Sequence, residues 1–166
     1  MNHQRAFTLI EMCIVLCLLA ILAQVAVPAL QDFLERNQQQ ALYHQIARAV
    51  NHARAHAVTH RVRVELCGTL DGLSCNQDWS QGWLLREMNQ PSPITVTQLK
   101  TDRRRLQWSG FQAKIQFHSN GISPTGNGRF YSCYKHEVSW QLILNRQGRL
   151  RSASSTENAE QITRCS

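Results

Sequence analysis

The 166-residue sequence predicts an α+β fold, in which a long N-terminal helix packs on a small, mostly antiparallel β domain. Residues 7–60 contain no glycine, and the polar part of this segment repeats apolar side chains every three or four positions, as a helix face does. Beyond residue 60 apolar and polar side chains alternate, and turn-forming dipeptides separate the alternating segments. The length fits one domain plus this helix.

The chain begins with a short polar leader, residues 1–6, followed by an apolar segment, residues 7–28, which is long enough to cross a bilayer as a helix. This segment contains one acid, Glu11. A carboxylate in that setting costs at least about 2.5 kcal/mol, so Glu11 needs a partner. A free N-terminal amine, on the same chain or a neighbouring one, fits this role. Cys13 and Cys17 are expected to be small apolar fillers.

The same helix should continue through residues 29–60 and end at about Thr59, with a bend at Pro28. Its apolar side chains form a stripe that should pack on a sheet. The stripe comprises Phe33, Leu34, Leu42, Ile46, Ala49, Val50, Ala53 and Ala57. A second, basic stripe comprises His44, Arg48, His52, His56 and His60. Two histidines four residues apart can bind a metal, but no acid or cysteine joins them nearby in the sequence, so we interpret this stripe as solvated.

Residues 61–166 should form the β domain. The segment from Arg61 to Cys67 alternates, which places Val62, Val64 and Leu66 inward. Further strand candidates lie at residues 82–86, 94–100, 106–108, 113–118, 129–134, 138–144 and 149–153. Turns are expected at Asp71-Gly72, Asn120-Gly121, 126–128 and Gln147-Gly148. The four tryptophans are expected in the core rather than stacked on bases: Trp79, Trp83, Trp108 and Trp140.

The segment Ala6-Phe7-Thr8-Leu9-Ile10-Glu11 resembles the class III leader and N-terminus of type IV pilins and type II secretion pseudopilins. The resemblance implies that a prepilin peptidase cleaves between Ala6 and Phe7, that Phe7 is then methylated, and that Glu11 guides assembly. Ala6 departs from the glycine usual before the cut. An ordinary signal peptide, the alternative, would be cut after the apolar segment, where no A-x-A-like site is present.

This resemblance also implies partners and a location. The partners are other pilin subunits, the pilus assembly machinery and the prepilin peptidase. The chain would span the inner membrane once with a periplasmic β domain, and it would reach the cell surface in a type IV pilus after assembly.

The exported β domain contains four cysteines, and an oxidising periplasm favours disulfide bonds between them. Four cysteines allow three connectivities, of which we favour Cys67–Cys75, around Asp71-Gly72, and Cys133–Cys165, at the tail. A zinc site is the alternative, but no Cys-x-x-Cys pair supports it. We therefore expect no metal and no other cofactor.

Motifs of the β domain resemble FimT/GspH-type minor pilins. They are, in order, Cys67 to Cys75, Asp78-Trp79, Gly82-Trp83, Ile115 to Gly121, Gly128-Arg129-Phe130 and Gly148-Arg149-Leu150-Arg151. The C-terminal Gly-Arg-x-Arg further resembles FimT proteins of natural transformation, in which this motif contacts DNA. The resemblance implies a minor pilin that binds the DNA backbone non-specifically during uptake. The alternative is a structural minor pilin, or a type II secretion pseudopilin of GspH type, that primes filament assembly without binding DNA.

The Gly-Arg-x-Arg motif, which begins at Gly148, follows a turn and opens the last strand candidate. Side chains two positions apart share a face of a strand, so Arg149 and Arg151 should project together, about 7 Å apart, while Leu150 enters the core. Phosphates along a DNA strand have similar spacing, so the two guanidinium groups suit neighbouring phosphates. Arg146 in the turn would add a third charge.

A second basic cluster, Lys100 with Arg103, Arg104 and Arg105, falls in a segment expected to be an exposed loop. It is either a second phosphate contact or a solvated loop, and Arg129 is a weaker candidate contact. The net charge of +7 suits a polyanionic partner, and it also suits solubility alone. The sequence contains no nucleophile elbow, phosphate-binding loop or metalloprotease motif, so it does not predict an enzyme.

Overall fold

The structure, a computed structural model, describes residues 9–99 and 106–165. The chain forms two compact units, Met1–Gln40 and Ala41–Ser166. The described part of the first unit is helical throughout. The second unit contains the end of the same helix, two β sheets and a short C-terminal helix.

Helix α1 (Leu9–His60) contains Pro28 in its interior, and its N-terminal part is long and apolar enough to cross a membrane. The helix ends because Arg61 adopts a left-handed backbone conformation, with φ of 55°. The amide of Val62 then donates to the carbonyl oxygen of Ala57 at 3.2 Å, which is the bond of a Schellman cap. The observed end, His60, lies one residue beyond the predicted one.

Within residues 61–99 and 106–165, eight antiparallel strands follow the helix. They are β1 (Val64–Gly68), β2 (Gly82–Glu87), β3 (Pro93–Gln98), β4 (Gln107–Gly110), β5 (Ile115–Phe117), β6 (Gly128–Tyr134), β7 (Glu137–Leu144) and β8 (Leu150–Ser152). The first sheet has the strand order β3-β2-β1-β5, and the second sheet has the order β4-β6-β7-β8. Each strand overlaps a segment that the sequence predicts, and the α+β class is confirmed.

The core of the second unit lies between one face of α1 and the inner faces of both sheets. The helix contributes Leu42, Ile46, Val50, Ala53 and Ala57. The sheets contribute Val64, Leu66, Leu85, Ile115 and Phe117 from the first, and Phe130, Trp140, Leu142 and Leu144 from the second. Among the tryptophans, Trp79, Trp83 and Trp140 are buried and Trp108 is half-buried against the same core, so the core prediction for them is confirmed.

The predicted apolar stripe of α1 is too long at its N-terminal end. Phe33 and Leu34 are 61% and 50% exposed, and the first buried apolar residue of the stripe is Leu42. The helix from Leu42 to Ala57 spans roughly 23 Å. The eight-residue strand β7 spans about 26 Å, a length close to that of the buried stripe.

Strand β1 is buried on both faces, whereas its alternating sequence predicts one buried face. Glu65 is 2% exposed, and its Oε1 lies 3.1 Å from Cys75 Sγ. Its carboxylate accepts hydrogen bonds from Lys114 Nζ at 2.7 Å, Arg86 Nη2 at 2.8 Å and Gln116 Nε2 at 3.2 Å. Burial would raise the pKa of Glu65, but these bonds outweigh it and lower the pKa overall.

The structure contains the disulfides Cys67–Cys75 and Cys133–Cys165, which is the connectivity favoured from the sequence. The first closes a loop in which the Asp71 carboxylate accepts hydrogen bonds from the amides of Leu73 and Ser74. The second joins β6 to the C-terminal end of the chain. Cys13 and Cys17 carry free thiols.

Two elements after β8 were not predicted: helix α2 (Ser155–Ala159) and a 3₁₀ turn (Ile162–Cys165). The amide of Glu157 donates to Ser154 Oγ at 3.2 Å, and the amide of Ser154 donates to Glu157 Oε2 at 2.8 Å. This reciprocal pair is a capping box, whose Ser-x-x-Glu signature is readable in the sequence. The Gln141 side chain of β7 donates to the Glu157 carbonyl oxygen at 3.2 Å, which holds α2 on the second sheet.

Candidate functional site

The turn between β7 and β8 is organised by Asn145. The amide of Gly148 donates to the Asn145 carbonyl oxygen at 2.9 Å, and the amide of Arg149 donates to Asn145 Oδ1 at 2.9 Å. The Asn145 amide returns a hydrogen bond to the Arg149 carbonyl oxygen at 3.1 Å. The backbone that presents Arg149 is therefore fixed by three hydrogen bonds to one residue.

Gly148 allows the backbone conformation and the close packing of this turn. Its φ is +73°, in the left-handed region that glycine tolerates best. A Cβ at this position would lie 2.3 Å from the Gly121 carbonyl oxygen, so a larger residue would push two turns apart. Gly148 is also buried, which leaves it no room to touch a ligand directly. The glycine of the Gly-Arg-x-Arg motif thus positions the arginine that follows it.

Three arginines share the outer face of the second sheet. Directly opposed residues of an antiparallel ladder point to the same face. The register pairs Arg129 with Ile143 and Ile143 with Arg151, which sets Arg129 and Arg151 about 10 Å apart across two strand spacings. Arg149 lies two positions before Arg151 and so on the same face. We call Arg129, Arg149 and Arg151 the arginine strip.

Leu150 points the other way, as predicted from alternation. It is half-buried and packs against the core, while Arg149 and Arg151 are exposed. The sequence therefore predicted the shared face of the two arginines correctly. It ranked Arg129 as a weaker candidate. The proximity of Arg129 to Arg151 depends on the non-local pairing of β6, β7 and β8.

The members of the strip differ in their partners. Arg151 Nη2 and Nη1 donate to Glu157 Oε1 and Oε2 at 2.7 and 3.0 Å, forming a two-bond fork. Arg129 Nη1 donates to Gln141 Oε1 at 3.1 Å. Within the described residues, the guanidinium of Arg149 has no hydrogen-bond or salt-bridge partner.

The Arg151–Glu157 pair is exposed, with 57% and 38% of the two side chains accessible. The Arg151 bond is the main reason that the pKa of Glu157 falls to about 2, and the Ser154 amide adds to the effect. In turn, the Glu157 carboxylate raises the pKa of Arg151. Sequence reasoning missed this partner, although the capping-box signature locates Glu157.

Other predicted site residues fall elsewhere. Arg146 is exposed in the β7–β8 turn, next to the strip. Glu11 lies in the first turn of α1, with its side chain exposed in the single chain. Ala6 and Phe7 lie outside the described residues, as does the whole cluster of Lys100, Arg103, Arg104 and Arg105.

Among the described residues, neither the cysteines of the β domain nor the histidines of the basic stripe form a convincing set of metal ligands. Within residues 9–99 and 106–165, Glu65, Cys67 and Cys75 are one group whose donor atoms lie within 4.8 Å of one another. The two sulfurs are bonded to each other, so they are not thiolate ligands. In the basic stripe, the rings of His56 and His60 stack at 4.0 Å, and His56 Nε2 lies 3.1 Å from Glu87 Oε1.

Comparison with known proteins decides the family. The sequence model of the family described as type II transport protein GspH matches residues 43–148, which cover the C-terminal third of α1 and strands β1 to β7. The chain belongs to the GspH family. The predicted relationship to GspH-type, pilin-like proteins is therefore confirmed, and the membership covers the second unit up to the β7–β8 turn.

Curated relatives of this GspH-family chain include pilins. Over 38 residues it is 50% identical to fimbrial protein Q of Moraxella bovis, and the match spans 23% of this chain and 24% of that protein. Matches of 38 residues also relate it to the type IV major alpha-pilin of Moraxella bovis, at 50% identity, and to a fimbrial protein of Moraxella nonliquefaciens, at 53%. The chain thus spans about a quarter of the length of these relatives.

Two crystal structures of the type IV minor pilin FimU from Pseudomonas aeruginosa share the fold. Their TM-scores are 0.58 and 0.54, at 20% and 19% sequence identity. The superpositions cover 75% and 70% of this chain and 94% of each FimU chain. The GspH-family chain therefore has a pilin fold, a long helix packed on antiparallel sheets.

The Arg151–Glu157 pair makes a testable prediction about pH. A carboxyl whose pKa is lowered by folding stabilises the fold above its ordinary pKa, and this contribution is lost as the pH falls toward the lowered value. We expect the Glu157 carboxyl to titrate at about 2 in the parent chain and nearer its ordinary value in Arg151→Gln. Carboxyl-carbon NMR titration measures both midpoints. Equal midpoints in the two chains would show that Arg151 does not hold Glu157.

Proposed function

We propose that this GspH-family chain is a minor pilin of a type IV pilus that binds the DNA backbone non-specifically through its arginine strip during DNA uptake. The observation that carries the proposal is the exposed guanidinium of Arg149, held by a rigid turn beside Arg151 and Arg146. A cation without an acid partner contributes its full charge to a polyanion.

The geometry supports backbone contact rather than base reading. The strip lies on the outer face of the second sheet, and Arg151 belongs to the three-residue edge strand β8. Arg149 and Arg151 are spaced like successive phosphates, and Arg129 widens the charged area by two strand spacings. Arginine forks suit phosphate oxygens, and contacts of this type fix position without reading sequence. The Lys100–Arg105 cluster is proposed as a further contact.

The second candidate function is a structural subunit, either a minor pilin that primes assembly or the equivalent pseudopilin of a type II secretion system. One observation favours it: Glu157 already satisfies Arg151, so part of the basic motif acts inside the fold. The membership in the GspH family fits both candidates. Both also use the N-terminal helix in the same way, so DNA binding is the property that separates them.

The assembly part of the proposal rests on α1. The exposed apolar segment of the helix would first lie in the inner membrane and later in the filament core, where neighbouring subunits replace lipid. Cleavage by a prepilin peptidase before Phe7 would create the amine that pairs with Glu11. Charge pairing in an apolar surrounding would then set the register between subunits.

We expect N-terminal sequencing of the processed chain to begin at Phe7. Glu11→Val should leave membrane insertion intact, because it makes the helix more apolar, but should prevent incorporation into filaments. Gln24→Val is the matched control, since it also removes a polar group from the apolar segment and should assemble normally. Filament immunoblots measure incorporation. Normal assembly of Glu11→Val, or a processed chain beginning at Met1, would contradict this role.

The DNA part is tested by Arg149→Gln in the full chain, purified in detergent micelles. Arg149 is exposed, so its replacement should change the free energy of unfolding by no more than about 0.5 kcal/mol. Affinity for duplex DNA of two unrelated sequences should fall for both. The slope of log affinity against log salt should flatten by up to about 0.9, the value for one lost phosphate contact. Fluorescence anisotropy measures both quantities.

Arg63→Gln is the matched control, because Arg63 is also exposed but precedes β1 in the first sheet. It removes the same charge away from the strip, so it should weaken binding less than Arg149→Gln. If both variants bind DNA like the parent, or if both weaken it equally, the arginine strip is not the contact site. The structural-subunit function would then be preferred.

A further inference from the structure

The two arginines of the Gly-Arg-x-Arg motif have different surroundings. Arg149 has no acid partner among the described residues, whereas Arg151 is engaged by both oxygens of Glu157, at 2.7 and 3.0 Å. A carboxylate and a phosphate oxygen pair bind the guanidinium fork with the same two-bond geometry. The position that a DNA phosphate would take on Arg151 is therefore already filled by an anion of the same chain.

Resting on the proposed function, we propose that Glu157 is an internal competitor of DNA for Arg151. Arg149 makes the first phosphate contact, and Arg151 joins it only after leaving Glu157. The second arginine of the motif thus adds to DNA affinity less than its exposure suggests. Glu157 sets how much it adds.

The cap of α2 keeps Glu157 in place during this exchange. Glu157 Oε2 accepts the Ser154 amide at 2.8 Å, and the Glu157 amide donates to Ser154 Oγ at 3.2 Å, independently of Arg151. The Glu157 carbonyl oxygen accepts a further bond from Gln141 at 3.2 Å. Arg151 is consequently the partner that moves, and the negative charge of Glu157 stays beside the incoming phosphate.

The exchange of Glu157 for a DNA phosphate on Arg151 is energetically feasible. Both side chains are substantially exposed, and exposed ion pairs are weak. Duplex DNA presents a much denser array of negative charge than one carboxylate does. A polyanion can therefore draw Arg151 away from Glu157, but at the expense of part of its own binding free energy.

The substitution Glu157→Gln tests whether Glu157 competes with DNA for Arg151. Glutamine keeps an oxygen that can accept the Ser154 amide, so the capping box is preserved while the charge is lost. Glu160→Gln is the matched control: it removes the same charge from an exposed residue that directly follows α2. Within the described residues, Glu160 forms no hydrogen bond or ion pair with Arg151. Both variants would be measured as full chains in detergent micelles, with a labelled duplex at fixed salt.

We expect Glu157→Gln to bind the duplex about two- to fivefold more tightly than the parent, a factor matching the strength of an exposed ion pair, and to exceed any gain from Glu160→Gln. In the Arg151→Gln background the gain from Glu157→Gln should shrink to that of the control, because the two side chains act as a pair. Equal gains from Glu157→Gln and Glu160→Gln, or a gain that persists without Arg151, would overturn the proposal.

Arg149→Gln separates this inference from the proposed function. If Arg149→Gln weakens DNA binding but Glu157→Gln leaves it unchanged, DNA binds at the strip and Glu157 is not a competitor. If Arg149→Gln binds DNA as tightly as the parent, the strip is not the site, and the inference is overturned together with the proposed function.

Discussion

The burial of one face of α1 holds two sheets together that share no strand. Each sheet pairs its own four strands, and the helix side chains from Leu42 to Ala57 contact the inner faces of both. Ala53 and Ala57 are fully buried in this core. A larger residue at either position would have to displace side chains of the packed core. The C-terminal part of α1 therefore organises the core of the second unit.

The inner faces of both sheets are buried in the core. A binding site for a partner must therefore lie on the outer faces or at the edges of the sheets. The outer face of the second sheet is divided between two uses. The C-terminal segment covers the part around Gln141, which is fully buried, and the Cys133–Cys165 disulfide ties the end of that segment to β6. The remaining part carries the arginine strip, in which Arg149 and Arg151 are exposed and Arg129 is half-buried. Glu157 lies at the boundary, where it caps α2 and also pairs with Arg151.

Much of the fold could be predicted because it follows from local patterns. The change of apolar period at residue 60 located the helix end, and alternation with turn dipeptides located eight strands. Gly148 was predicted as part of a binding motif, and the structure gives it a positive φ and a close approach to Gly121. The pairing of the four cysteines in the β domain was also found as predicted.

What could not be predicted depends on which segments meet. The burial of Glu65 depends on the loop closed by Cys67–Cys75, which covers the second face of β1. The division into two sheets, and with it the position of Arg129 beside Arg151, depends on non-local pairing. The Arg151–Glu157 pair needs the chain to turn back after Ser154, although the capping box indicated the start of α2. These contacts decide which arginine has an acid partner within the described residues.

The most direct test of the DNA-binding account is site-specific photo-crosslinking of the full chain to duplex DNA. A benzophenone amino acid at Gln147, exposed at the tip of the β7–β8 turn between Arg146 and Gly148, should form a covalent DNA adduct on irradiation. The same group at Asn89, exposed in the β2–β3 turn of the first sheet, should form little. An adduct at Asn89 but not at Gln147, or equal yields at both, would contradict the account.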